Sequence, residues 1–130
     1  MDIPAPIQAP KGEIVIRTMA MPADTNANGD VFGGWLMSQM DMGGAVLARN
    51  TAHSRVTTVA VDGMAFHHPV MVGDIVTCYA SLVRIGRTSM KIDVEVWVNR
   101  KTDGEALKVT EGVFTYVAMS EDGRPQPVKR

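Results

Sequence analysis

A single stretch, Gly34 to Asn50 (GWLMSQMDMGGAVLARN), carries a convincing helical pattern, and it is apolar around most of its circumference. At about 100° per residue, Leu36, Leu47, Met40, Gly44, Met37, Ala48 and Ala45 fill one broad arc, and Met42 and Val46 make the far side partly apolar. Such a helix is buried rather than laid on a surface. The rest of the regular structure reads as strand, so a curved sheet must wrap the helix.

The strands are Glu13 to Met21, closed by Pro22, then Val56 to Phe66, Asp74 to Ile85, Ser89 to Val98 and Leu107 to Met119. In Ser89 to Val98, Met90, Ile92, Val94, Val96 and Val98 alternate with Lys91, Asp93, Glu95 and Trp97, which predicts one buried and one wetter face. Gly86 supplies one turn and Thr102, Asp103 and Gly104 another. The fold class is α+β with a mainly antiparallel sheet. One sheet of this size leaves a flat edge, which suggests dimerisation.

At 130 residues the chain fits one domain. Residues 1–11 read as a flexible N-terminal arm, 12–120 as the domain and 121–130 as a loose C-terminal tail. A net charge of -1 argues against a global basic field for nucleic acid. No apolar run reaches the ~18 residues of a membrane span, and the lone Cys78 cannot form an internal disulfide. A cytoplasmic setting is expected, without membrane insertion.

Asp41 lies at the border of the apolar arc, between Ala48 and Ala45 on the wheel. An aspartate facing a core needs a partner or a purpose. Gly43 and Gly44 beside it each cost roughly 1 kcal/mol against alanine, and they allow close approach of another backbone or a thin ligand. Upstream, DTNANGDVFGGW delivers Asn26 and then Gly33 and Gly34 at the helix start, where free N–H groups suit an oxyanion or a phosphate. Asp24 to Asp30 mimics a calcium loop, but its twelfth position is Trp35 rather than a glutamate. The three histidines give no metal spacing, so no metal site is expected. Arg84, Arg87 and Lys91, with Arg100 and Lys101 further on, form either a solvated strand end or a phosphate-binding rim.

The run RTMAMPADTNANGDVFGGWLMSQMD, continued by VTTVAVDGMAFHHPVMVGDIV, GRTSMKIDVEVWV and FTYVA, resembles the YciA-type acyl-CoA thioesterases of the hotdog superfamily. The resemblance runs from about Gly12 to Ala118. It implies a central helix wrapped by an antiparallel sheet, a homodimer with a continuous sheet, and assembly to a hexamer. It also implies acyl-CoA as substrate, CoA as product and no cofactor. The family's catalytic acid falls on Asp41 and its loop asparagine on Asn26, a pair that meets across the dimer interface. The backbone at Gly33 and Gly34 would be the oxyanion hole, and Arg87, Thr88 and Ser89 would bind CoA.

Asp41 would activate water as general base or attack the carbonyl as nucleophile; both routes stay open. Two rivals differ in class. A hotdog dehydratase or hydratase would pair a histidine with the helix acid, yet no histidine lies between Pro22 and Gly34. A non-catalytic acyl-CoA sensor would usually carry an effector domain.

Overall fold

In the computed structural model, residues 9–100 and 105–129 are described. They form β1 (Glu13–Met19), a short 3-10 turn (Pro22–Asp24), α1 (Gly33–Ala52), β2 (Arg55–Phe66), β3 (Ile75–Ile85), β4 (Ser89–Asn99) and β5 (Ala106–Met119). The sheet order is β1-β3-β4-β5-β2, antiparallel at every pairing. The helix touches all five strands, so the sheet does curve around it. No helix among the described residues is long and apolar enough to cross a membrane.

Element ends differ from expectation for local reasons. β1 stops at Met19 because Pro22 opens the 3-10 turn, where the Asp24 carboxylate accepts the Met21 N–H at 3.0 Å. The helix runs on to Ala52 and is ended by His53, which adopts a left-handed conformation (φ 53°) and donates its N–H to the Arg49 carbonyl at 2.8 Å. The turn placed at Thr102, Asp103 and Gly104 lies outside the described residues.

The helix buries Leu36, Met40, Ala48 and Ala52 against Met90, Ile92, Val94, Phe114 and Tyr116. It is not buried all round within one chain: Met37, Met42 and Val46 are exposed. So is most of β2, an edge strand twelve residues long, on which Val59 is 55% exposed.

The second face of β4 is the main departure from the alternation pattern. Asp93, Glu95 and Trp97 were expected on a wetter face, yet all three are buried. Glu95 lies directly opposite Glu111 on β5, and Lys108 bridges them at 3.8 and 2.6 Å. The Trp97 indole donates to Glu95 at 2.8 Å, and the Lys11 backbone amide reaches the same oxygen. This charge cluster could not be told from a solvated face by period alone.

The expected loose tail is hydrogen-bonded back onto the sheet. Ser120 to Arg124 form a turn, Gln126 donates its N–H to the Ala118 carbonyl at 2.9 Å, and Val128 is buried.

Burial, followed by the charge of Glu111, pushes the Asp93 carboxyl above its ordinary range. A raised carboxyl favours folding most below the unfolded pKa of about 3.9 and loses that contribution as pH rises through the folded value. Asp93→Asn should therefore raise Tm at pH 7 and give little or no gain near pH 3, as a pH series of thermal melts would show. An equal gain at both pH values would contradict the shift.

Candidate active site

The Asp41 side chain is half-buried on α1, and two hydroxyls converge on one of its oxygens. Thr58 Oγ1 donates to Oδ1 at 2.6 Å. The Tyr116 phenol lies 2.8 Å from the Asp41 backbone oxygen and 3.2 Å from Oδ1, so its single proton serves both. Thr58 and Tyr116 are cross-strand partners of β2 and β5 and point to the helix side. The ladder slips between Thr58 and Ala60, a bulge immediately beyond the contact. Burial first, and the Asp41 charge second, push the Tyr116 phenol above its ordinary value, so it stays a proton donor.

Gly43 and Gly44 explain how strand and helix come this close. A Cβ at Gly44 would collide with the Tyr116 hydroxyl, and one at Gly43 would lie 2.7 Å from the Val15 side chain. The close approach expected at this glycine pair is thus made by protein side chains.

At the other end of the loop, Asn26 Oδ1 accepts the N–H groups of Asn28 (2.9 Å) and Asp30 (3.2 Å). The calcium-like spacing is therefore spent on holding the loop's own backbone. Within one chain, Asn26 makes no hydrogen bond to Asp41 among the described residues. The helix opens at Gly33 without a side-chain cap. Trp35 and Leu36 donate to the Phe32 carbonyl, whereas the amides of Gly33 and Gly34 meet no acceptor among the described residues. Space above Gly34 is clear, and the Phe66 ring lies 3.5 Å from where a Gly33 Cβ would stand.

Arg87 and Thr88 lie in the β3–β4 turn and Ser89 opens β4, with Arg87 exposed. The turn lies at the same end of the sheet as Tyr116, which pairs with Met90. Arg100, grouped with them by sequence, sits at the far end of β4 and is committed to the buried Asp74 at 3.1 Å and to the Pro69 carbonyl. It belongs to the β2–β3 connection. Lys101 lies outside the described residues. Cys78 is fully buried, and burial pushes its thiol up to about 12, which makes it a packing group rather than a nucleophile.

The thioesterase superfamily pattern matches residues 28–105 of this chain. The chain is also 59% identical over 122 residues to the acyl-CoA thioester hydrolase YciA of Salmonella typhimurium, covering 92% of each. The chain belongs to the thioesterase superfamily. This is the family that the loop and helix motifs resembled.

Among solved members, the structure is similar to a hexameric thioesterase from Yersinia pestis, with TM-score 0.89 and 56% identity, covering 94% of this chain and 99% of that one. It is likewise similar to a hexameric hotdog-fold thioesterase of Campylobacter jejuni, with TM-score 0.86 and 40% identity over 91% of each chain. The α+β architecture is the hotdog fold.

The geometry leaves the Asp41 carboxylate with Oδ1 held by two hydroxyls, and the amides of Gly33 and Gly34 without an acceptor among the described residues. Sequence reading singled out Asp41 but not its hydrogen-bond partners Thr58 and Tyr116. Tyr116 alternates with Phe114 and Ala118, so it reads as one more core residue; the paired glycine at Gly44 was the available sign of a tight contact.

The Tyr116 contact predicts non-additive stability. Gly44→Ala should cost about 1–3 kcal/mol through overpacking, and should cost clearly less in a Tyr116→Phe background, where the clashing hydroxyl is gone. A double-mutant cycle by urea unfolding checks this; additive effects would mean that the hydroxyl is not what excludes the Cβ.

Proposed function

We propose that this thioesterase hydrolyses acyl-CoA to free acid and CoA, with Asp41 as the group that starts the reaction. The observation that carries the reading is the Asp41 carboxylate, whose Oδ1 is held by two hydroxyls while Oδ2 accepts no hydrogen bond from the described residues. A carboxylate oriented this way can take a proton from water as that water attacks the thioester carbonyl carbon. It can equally attack the carbon itself to give a mixed anhydride. On either route the C–S bond breaks and CoA leaves as the thiolate. In the first, the proton taken from water goes to the thiolate. In the second, water then hydrolyses the anhydride, which releases the acid, restores the Asp41 carboxylate and supplies that proton. The similarity to a YciA hydrolase over nearly the whole chain supports the substrate class.

The site is completed by a second subunit. Gly33 and Gly34 precede Asp41 by eight and seven residues, which is about 10–12 Å along a helix. Oxyanion donors must sit about 3 Å from the developing charge, so one subunit's helix start cannot serve its own Asp41. A partner's can. The long exposed edge of β2 is suited to join the same strand of a second copy into a continuous sheet. Asn26 would then hold the water or the thioester of the neighbouring Asp41, and such dimers would assemble to a hexamer, the state of the two solved relatives. Arg87, Thr88 and Ser89 receive the CoA phosphates. The reaction needs no cofactor or metal, and its setting is the cytoplasm.

Free-thiol release from a panel of acyl-CoAs tests the reading. Wild type should turn over, and Asp41→Ala should lose on the order of 10³-fold in kcat at matched folding and oligomeric state. Wild type that binds acyl-CoA yet releases no thiol would make the protein a sensor. The cross-subunit arrangement has its own test. Heterodimers of Asp41→Ala with Asn26→Ala chains should recover activity absent from either parent, since one of their two sites is intact. Verified heterodimers without recovery would return both groups to one chain.

A further inference from the structure

We infer that the C-terminal segment Glu121–Lys129 is a strut that fixes the Arg87–Ser89 turn for the nucleotide half of the substrate, with Val128 as its positioning residue. This rests on the reading above that the turn receives the CoA phosphates. Three backbone bonds define the turn. Gly86 donates its N–H to the Ser89 carbonyl at 2.8 Å, Ala118 to the Thr88 carbonyl at 2.8 Å, and Val128 to the Arg87 carbonyl at 2.9 Å. The first two come from the hairpin and from β5. The third comes from the tail.

The tail reaches that carbonyl by reversing on itself. Ser120 donates its N–H to the Arg124 carbonyl at 2.7 Å and Gly123 to the Ser120 carbonyl at 3.0 Å, which sends the chain back past the end of β5. Pro125 then bridges to Met119, and Gln126 donates to the Ala118 carbonyl. From Glu121 onward every described residue is exposed or half-buried except Val128, at 7% exposure and joined to the main core. A segment this exposed has one hydrophobic anchor, and the anchor's own amide holds the turn.

The consequence for binding is twofold. Carbonyl oxygens repel phosphate, and those of Arg87 and Thr88 are both committed to protein donors, leaving the exposed Arg87 side chain to face the ligand. A turn already ordered also loses less backbone freedom on binding. Neither effect reaches the thioester carbonyl. The strut therefore acts on KM for substrates that carry the nucleotide and not on kcat.

The test compares an acyl-CoA with the acyl-pantetheine thioester of the same acid, which lacks the nucleotide phosphates. In the full chain, Val128→Pro removes the amide and Val128→Ala weakens the anchor. Val128→Pro should raise the acyl-CoA KM about fivefold, the worth of one backbone hydrogen bond, and Val128→Ala, which keeps the amide but loosens the anchor, about threefold, with acyl-CoA kcat and acyl-pantetheine kinetics kept within about twofold. Should Val128→Pro not fold, Val128→Ala decides. Equal loss on both substrates would make Val128 a general packing residue, and unchanged acyl-CoA kinetics would leave the tail without a role; either overturns the strut. Arg87→Ala separates the layers. If it fails to weaken acyl-CoA relative to acyl-pantetheine, the phosphate reading of the turn is itself wrong. If it succeeds while both Val128 variants keep the wild-type preference, the strut alone fails.

Discussion

The contact between the Tyr116 hydroxyl and the α1 backbone at Asp41 sets the distance between helix and sheet. A buried phenol must find an acceptor, since leaving it unpaired costs roughly 1–3 kcal/mol. It finds the Asp41 carbonyl only because Gly44 leaves room for the ring. Once that distance is fixed, the cross-strand neighbour Thr58 falls within hydrogen-bond range of the same carboxylate. One packing requirement thereby orients the acid. The two glycines are unfavourable for the helix in isolation, and this geometry is what offsets their cost.

Much of the fold could be read from periodicity. The helix, the five strands and the alternation of Met90, Ile92, Val94, Val96 and Val98 follow from residue spacing alone. What spacing cannot supply is the partner of a polar side. Asp93, Glu95 and Trp97 have the period of a wet face, but Lys108 pairs with both Glu95 and Glu111, and the Lys11 amide donates to Glu95. The Lys108 pairing depends on register between β4 and β5, a long-range property. The tail is similar: Val128 is one apolar residue among polar ones, and only its pairing with Arg87 shows that it is anchored.

The site was legible to the same extent. Asp41 stood out because an acid at the edge of an apolar arc is costly without a use. Gly33 and Gly34 stood out because a helix start leaves donors over. Thr58 and Tyr116 carry no such conflict with their surroundings in sequence, since threonine and tyrosine are ordinary strand residues. Their chemistry arises from being opposite one another and under the helix, which no local pattern encodes.

A rigid helix places the acid and the leftover amides on the same element, two turns apart, and therefore never on the same reacting atom. Folding cannot close that gap, because α1 is unbroken from Gly33 to Ala52. Symmetry can. In the proposed dimer, a two-fold axis beside the free edge of β2 would set one helix's start against the other's middle, and it would do so twice. The exposed Met42 and Val46 and the long bare edge of β2 would then share a cause with the separation of the proposed catalytic groups. In the proposed dimer the single chain would be half of an interface and half of each of two sites. On this view assembly is a condition for chemistry rather than an addition to it, and substitutions on β2 away from Thr58 that leave a folded monomer should abolish thiol release with Asp41 intact.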